Sequence, residues 1–193
     1  MIGYVPGSTL CHLTDNRITE ASGIVASDLQ DGVLFVHNDS GDTARFFALG
    51  TDCRTRATYV LPHVPAVDWE DIARGPGHVL WLGDIGDNRS VRTHLYVNRV
   101  TEPVVGSGTV DLPSTRYALT YPDGPHNAET LLADPRDGRL YVLTKTYAST
   151  GTLYAAPLPL SATSDNRLVR LETVTFPFGS IAPTGGDISP DGT

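Results

Sequence analysis

The chain has 193 residues, of which 40% are hydrophobic and 19% charged, a balance typical of a globular protein rather than a disordered one. Its formal net charge of -8 would repel a nucleic-acid backbone and so disfavours nucleic acid as a partner. No stretch reaches the roughly 20 apolar residues of a membrane helix, and the first ten residues lack a signal-peptide pattern.

The first predicted element is an outer β-strand over residues 8–13, just before the first of several repeat units. Cys11 lies in this segment, and Cys53 lies in the turn between the third and fourth predicted strands of the first unit. We expect a Cys11–Cys53 disulfide, which would suit an exported protein. Two buried free thiols are the alternative, because two cysteines in a chain of this size are weak evidence for a bridge.

Three repeat units follow, over about residues 20–62, 68–122 and 127–177, and a further unit begins at 184–193. Each starts with a short apolar run, a turn rich in Pro, Gly and Asp, and a second run of β-branched and aromatic residues, which is typical of a β-hairpin. Two more strands follow, and the last ends in an apolar residue and a proline, which suits an edge strand. The matching apolar positions in the first strands are Ile24, Ile72, Leu131 and Ile188.

These positions recur roughly every 55 residues, near the period of propeller blades. The sequence therefore predicts an all-β protein, a β-propeller of three four-stranded blades plus parts of a further blade. We expect the four matching residues to be buried between neighbouring blades. A ring needs at least about four blades, so we expect it to be incomplete here, with the missing part after Thr193. A β-sandwich is the alternative.

Acidic residues stand near the start of each predicted first strand, where a propeller faces its central channel. Convergent carboxylates at such a place predict a site for a hard cation, since Ca²⁺ prefers six to eight oxygen ligands. Solvated loop residues, or side chains that cap backbone amides, are the alternative. The residues are Glu20, Glu70, Glu129 and Asp187.

Two loops after the second strands, residues 38–42 and 84–88, alternate Asp or Asn with Gly, as calcium loops do. The end of a second strand shares one end of the hairpin with the start of the first, so Asp39 and Asp84 are expected near Glu70. Asx-turns are the alternative interpretation of these loops.

Other side chains near these loops are further ligand candidates. The two histidines could act as a base or a ligand, and the tryptophan could stack on a flat ligand or pack between blades. The candidates are His37, Trp69, Asp87, Asn88, His126 and Lys145.

Several motifs together resemble a group of mostly uncharacterised, exported bacterial β-propeller proteins. They are Thr19-Glu20-Ala21-Ser22-Gly23-Ile24, His37-Asn38-Asp39-Ser40-Gly41-Asp42, Asp68-Trp69-Glu70-Asp71-Ile72-Ala73, Gly83-Asp84-Ile85-Gly86-Asp87-Asn88 and the run 184–192. The group is more distantly similar to phytase-like esterase propellers and to gluconolactonase and strictosidine-synthase-like propellers, which bind a metal or substrate at one channel end. The resemblance implies a propeller and a secreted or cell-envelope location, and no particular reaction.

The sequence thus favours an exported binding or scaffold protein whose acidic channel end holds Ca²⁺ and, with it, a small molecule, a glycan or a protein. The alternative is a metal-assisted hydrolase of the lactonase, esterase or phytase-like kind. An enzyme would need a base within reach of the metal, and the sequence supplies no secure one, so enzymatic activity stays open. A phosphate ester would meet few cations, namely Arg89, Arg92 and Lys145.

Overall fold

The structure is a computed structural model that describes residues 7–176 and 182–192. Every regular element in these residues is a β-strand, which confirms the all-β prediction, and these residues contain no helix that could span a membrane. The strands are β1 (Ala21–Ala26), β2 (Val33–Asn38), β3 (Arg45–Gly50), β4 (Thr55–Val60), β5 (Trp69–Gly75), β6 (Val79–Asp84), β7 (Leu95–Thr101), β8 (Gly108–Asp111), β9 (Thr115–Thr120), β10 (Ala128–Ala133), β11 (Leu140–Thr144), β12 (Thr150–Ala155), β13 (Asn166–Arg167) and β14 (Val169–Thr175).

The strands form three sheets, with the orders β1-β2-β3-β4-β8, β5-β6-β7-β9-β13 and β10-β11-β12-β14. In each sheet, four consecutive antiparallel strands come from one predicted repeat unit. The two remaining strands were not predicted. β8 pairs in parallel with β4, and β13 pairs in parallel with β9, so each joins the sheet of the preceding unit.

Apolar side chains fill the spaces between successive sheets. One core joins the first and second sheets and includes Phe35, Phe46, Ile72 and Leu80. Another joins the second and third sheets and includes Trp81, Val97, Leu131 and Val142. A smaller cluster of Val36, Phe47 and Leu49 lies on the other face of the first sheet. The alternation of side chains along each strand explains how a middle sheet serves two cores.

The first strands of neighbouring sheets lie side by side, with β1 next to β5 and β5 next to β10. A Cβ atom at Gly23 would lie only 2.6 Å from the backbone nitrogen of Ile72, so glycine permits this close approach of β1 to β5. The sheets therefore meet along the edges that carry the predicted acidic residues.

The prediction that all four matching apolar residues are buried is confirmed only in part. Ile72 and Leu131 are fully buried between sheets, and Ile188 is half-buried. The prediction was wrong for Ile24, which is 59% exposed. Its neighbours Gly23 and Val25 face the second sheet, so Ile24 points to the opposite face, where the described part of the chain places no further sheet.

The sequence predicts that residues 8–13 and 184–193 contribute strands to a further blade. Residues 8–13 and 184–192 are irregular, because a strand needs a hydrogen-bonded neighbour and neither segment has a ladder partner in residues 7–176 and 182–192. Thr193 lies outside the described residues. The predicted disulfide is confirmed: Cys11 and Cys53 are bonded, with their Cα atoms 5.8 Å apart.

Candidate functional site

Three carboxylates converge where β2 ends and β5 begins. Asp39 directly follows β2, Asp68 directly precedes β5, and Glu70 lies within β5. One oxygen from each carboxylate lies within 4.8 Å of the other two. Asp68 and Glu70 are two residues apart in extended chain and so project to the same side. The contact of β1 and β2 with β5 brings Asp39 to them, and we call these three residues the acidic cluster.

Gly86, in the loop after β6, provides the space for the acidic cluster. Its backbone nitrogen donates to the backbone oxygen of Asp68 at 3.1 Å, which holds the loop against the start of β5. A Cβ atom at residue 86 would overlap Oδ2 of Asp68 and Oε1 of Glu70. Any side chain larger than glycine would therefore push these two carboxylates out of their present positions.

The pKa values of Glu70 and Asp68 in the acidic cluster are raised. Burial, together with the negative charges of Asp39, Glu129 and Asp68, raises the pKa of Glu70 to about 9. Burial and the charge of Asp39 also raise the pKa of Asp68. Close carboxylates without a counter-charge share protons, because each charge disfavours the ionisation of the next. Near neutral pH, Glu70 is therefore protonated unless a cation replaces its proton.

Glu129, predicted as a metal ligand, lies at the same rim but already has a partner. It is the second residue of β10 and forms an ion pair with Lys145, which directly follows β11. Glu129 raises the pKa of Glu70 and Lys145 lowers it, so both side chains act on the acidic cluster from the third sheet. The pair borders the cluster without entering it.

Asp84 is fully buried and forms ion pairs with two arginines. Its Oδ1 accepts from Arg92 at 2.8 Å and from the backbone nitrogen of Asp68 at 3.1 Å, and its Oδ2 accepts from Arg116 at 3.5 Å. A carboxylate matched by two guanidinium groups has little capacity left for a cation. Asp84 thus positions Asp68 rather than taking part as the ligand that the sequence predicted.

Asp87 and Asn88, in the loop after β6, form hydrogen bonds that fix the position of this loop. Oδ2 of Asp87 accepts from the backbone nitrogen of Arg92 at 2.7 Å, and its own backbone nitrogen donates to Oδ1 of Asn127 at 2.7 Å. Asn88 accepts from Nδ2 of Asn127 at 3.3 Å. These bonds tie the loop after β6 to the chain that enters β10.

Two predicted ligands lie apart from the acidic cluster. The side chain of Glu20 is exposed, although its backbone oxygen accepts from the nitrogen of Asp39 at 2.8 Å. Asp187 is also exposed, and it lines a surface cleft with Arg74 and Gly75 at the far end of β5. Glu20 is therefore beside the acidic cluster without belonging to it, and Asp187 lies at the other end of β5.

The aromatic candidates are core residues. Trp69 is buried in the core between the first two sheets, so it cannot stack on a ligand from solvent. His37 is fully buried edge-on against Trp69, with ring centroids 5.6 Å apart. Burial lowers the pKa of His37 and favours its neutral form, and its Nδ1 lies 2.8 Å from the backbone oxygen of Asn38.

His126 belongs to a different group of side chains. Its Nε2 lies 3.1 Å from Oδ1 of Asp123 and 3.1 Å from the hydroxyl of Tyr154. Oδ2 of Asp123 also accepts from the hydroxyl of Tyr154 at 2.9 Å. The group lies beside the third sheet and shares no residue with the acidic cluster.

Sequence reasoning missed two acidic residues of the site region, Asp68 and Asp71. The i, i+2 spacing of Asp68 and Glu70 at a strand start could have revealed the first. Asp71 is buried, and its Oδ1 and Oδ2 accept at 2.9 Å from the backbone nitrogens of Ile72 and Leu131, respectively, which links β5 to β10. Burial raises the pKa of Asp71 to about 7.

No protein-family model matches the chain, and no curated protein has a matching sequence. A solved structure titled KlHsv2 with loop 6CD replaced by a Gly-Ser linker is similar at a TM-score of 0.34 and 8% identity, over 78% of this chain. The chain spans 58% of the length of that solved chain. A likeness at this level carries no conclusion about fold or function.

Proposed function

We propose that the chain is part of a β-propeller that binds Ca²⁺ through Asp39, Asp68 and Glu70 and acts as an exported binding or scaffold protein. The convergence of three carboxylate oxygens within 4.8 Å of one another carries the proposal. Oxygen atoms bound to one Ca²⁺ each lie 2.3–2.6 Å from the ion, so oxygens up to about 5 Å apart can share it.

The propeller part of the proposal is supported by the arrangement of the sheets. Three successive sheets, each formed mainly by one repeat unit, pack face to face, and their first strands lie side by side. A propeller places its blades in this way around a central channel. The sequence motifs that resemble exported bacterial propellers agree with it, and the Cys11–Cys53 disulfide is typical of a protein outside the cytosol.

A bound cation would also explain the unusual chemistry of the acidic cluster. Ca²⁺ takes the place of the proton of Glu70 and offsets the negative charges that, together with burial, raise the pKa values of Glu70 and Asp68. Three carboxylates leave coordination positions for water or for oxygens of a small molecule, glycan or partner protein.

The hydrolase alternative has less support from the arrangement of side chains. A metal-assisted hydrolysis needs a base close to the metal-bound water. His37 is buried against Trp69, and His126 belongs to the group with Asp123 and Tyr154. We therefore propose a binding role for the acidic cluster and no reaction.

The experiment is a Ca²⁺ titration of the metal-free protein, in which calorimetry measures the binding heat and a thermal scan measures the melting temperature. We expect the melting temperature to rise with Ca²⁺, because a ligand that binds only the native state stabilises it. Glu70→Gln should weaken Ca²⁺ binding at least about tenfold, since it removes a charged ligand. Gly86→Ala should do the same, because the added methyl group displaces Asp68 and Glu70.

Gly106→Ala is the matched control, because a Cβ atom at residue 106 would meet nothing within 4 Å. It should bind Ca²⁺ like the unchanged protein. If Ca²⁺ leaves the melting temperature of the unchanged protein where it was and gives no binding heat, the acidic cluster is not a Ca²⁺ site. Equal binding by the unchanged protein and Glu70→Gln would place the ion elsewhere.

A further inference from the structure

A cleft of about 380 Å³ lies between two connections that both run from the first sheet to the second, and it shares no residue with the acidic cluster. One wall is the connection from β4 to β5, with Pro62, Val64 and Pro65, and the other is the connection from β8 to β9, with Leu112 and Pro113. The volume is within the range of small-molecule sites. The proline rings fix the backbone of both walls, so the cleft is formed before a ligand binds.

Arg116, on β9, supplies a permanent positive charge in the lining of this cleft. Its guanidinium carbon lies 3.5 Å from the centroid of the Tyr96 ring, and an arginine stacked on an aromatic ring is held in place. The side chain is still 28% exposed. An anion that enters the cleft would therefore meet a charge that is accessible and already positioned.

Arg116 is hydrogen-bonded far less fully than Arg92, although both arginines reach Asp84. Arg92 donates to Oδ1 of Asp84 at 2.8 Å and to the backbone oxygen of Gly86 at 2.6 Å. Arg116 reaches Oδ2 of Asp84 only at 3.5 Å, and its buried Nε has no hydrogen-bond partner among the described residues. Arg116 thus keeps hydrogen-bond donors that the protein does not use.

Asn98, on β7, lies directly opposite Arg116 and carries a second unused polar group. Paired residues of neighbouring antiparallel strands project to the same face of a sheet. Asn98 is fully buried, and neither its Oδ1 nor its Nδ2 has a hydrogen-bond partner in residues 7–176 and 182–192. Because buried side-chain amides are usually hydrogen-bonded, this pair of positions points to a polar group that the protein itself does not supply.

We propose that the cleft is a second binding site, for a small organic acid whose carboxylate binds Arg116 and whose apolar part lies between Val64 and Leu112. A guanidinium group matches a carboxylate through two parallel hydrogen bonds. One carboxylate charge suits the lining better than the two charges of a phosphate, because Asp111 lies in the same lining and would repel the second charge. The site goes beyond the Ca²⁺ site and does not need the ion.

The test is an NMR titration of the metal-free protein with benzoate, after the chelator has been removed. We expect saturable shifts of the amide signals of Val64, Leu112 and Ser114, which line the cleft. Benzoate should bind at least about tenfold more tightly than benzyl alcohol, which lacks the charge, and at least about tenfold more tightly than inorganic phosphate.

Arg116→Gln should weaken benzoate binding at least about tenfold, because it removes the charge that the carboxylate binds. Arg54→Gln is the matched control, since it removes the same charge at a residue whose side chain is 77% exposed in the turn between β3 and β4, outside the cleft. It should bind benzoate like the unchanged protein. Ser114→Phe fills the cleft and leaves Arg116 in place, so it should weaken binding as well and decides the test if Arg116→Gln does not fold.

The absence of saturable shifts at Val64, Leu112 and Ser114 overturns the proposal. Equal affinity for benzoate and benzyl alcohol, or for benzoate and phosphate, shows that the cleft does not select a carboxylate and overturns it too. Undiminished benzoate binding by folded Arg116→Gln or by Ser114→Phe would place the ligand outside this cleft. Since no Ca²⁺ is present, each of these results is independent of the Ca²⁺ site.

Discussion

Two buried carboxylates of this protein, Asp84 and Glu70, lie in opposite environments, which the residue type alone does not distinguish. Asp84 faces Arg92 and Arg116, and its charge is matched within the protein. Glu70 faces Asp39 and Asp68, and its charge is opposed. The first environment stabilises an ion pair, whereas the second favours a proton or an added cation. Only the second one leaves a binding capacity unused by the protein.

Protonation of Glu70 makes the stability of the metal-free protein depend on pH. Its pKa is about 9 in the folded protein, against a reference value of 4.5. Between these values the unfolded chain has lost the proton while the folded protein keeps it, so the free energy of unfolding falls as pH rises. Asp71, with a pKa of about 7, acts in the same direction at lower pH. Glu70→Gln should flatten the decline over the whole range from about pH 5 to about pH 9, by on the order of 2 kcal/mol for each two pH units.

Urea unfolding with a calcium chelator at pH 5, 7 and 9 measures this effect. Saturating Ca²⁺ is the matched condition, because the ion holds Glu70 ionised and should remove the part of the decline that Glu70 causes, while the part due to Asp71 remains. Equal pH dependence of the unchanged protein and Glu70→Gln would show that Glu70 does not keep its proton in the folded state.

Part of the candidate site could be predicted from the sequence. Asp39 and Glu70 followed from the geometry of a hairpin, in which one strand start and one strand end share a rim. Asp84 has the same sequence pattern as Asp39, but Arg92 and Arg116 reach it from a loop and from β9. Which acidic residue forms an ion pair with an arginine depends on contacts between distant parts of the chain, and a local sequence pattern does not show those contacts.

At the scale of elements, each first strand begins with a β-bulge. The register shifts between Ala21 and Ile24, between Trp69 and Asp71, and between Ala128 and Thr130. A bulge places one extra residue on one strand and re-aims its side chains. The shared bulges explain why Glu70 and Glu129 reach the same rim from neighbouring sheets.

The hairpins and the four strands of each unit were predicted correctly, because their apolar runs and turns are local signals. The two added strands were missed. β13 has only two residues, and β8 is wholly exposed, so neither has an apolar alternation that would mark a strand. Their pairing depends on an outer strand far away in the sequence, which makes it invisible to a local pattern.

Glu102 joins two elements at the end of the sheets away from the acidic cluster. It is buried just after β7 and accepts from the backbone nitrogens of Asp28 and Leu29, at 3.1 and 3.2 Å, and from the hydroxyl of Ser27. Glu102→Ala should lower the free energy of unfolding by about 1–3 kcal/mol, because it removes the buried acceptor of these three hydrogen bonds. Urea unfolding measures the loss.

Glu172→Ala is the control for this change, since Glu172 is exposed on β14 and should matter by less than about 0.5 kcal/mol. Glu102→Gln should fall between the two, because an amide oxygen still accepts one or two of the bonds. Equal stability of Glu102→Ala and Glu172→Ala would mean that the turn between β1 and β2 does not depend on Glu102.

At the scale of the whole molecule, the sheets are linked in chain order by strands that cross from one unit to the previous one. β8 ties the second unit to the first sheet, and β13 ties the third unit to the second sheet. Asp71 adds a link between β5 and β10. A unit that unfolded alone would expose both an apolar face and a sheet edge of its neighbour, so the three units should unfold together.

Scanning calorimetry tests this cooperativity. We expect one transition with equal calorimetric and van't Hoff enthalpies in the metal-free protein. Leu168→Ala should lower the melting temperature on the order of 10 °C, since Leu168 is buried between the second and third sheets and such truncations cost about 2–4 kcal/mol. The transition should stay single, because the loss is shared by all three sheets. Separate transitions for one sheet and for the other two, in either protein, would show that the crossing strands do not couple the units.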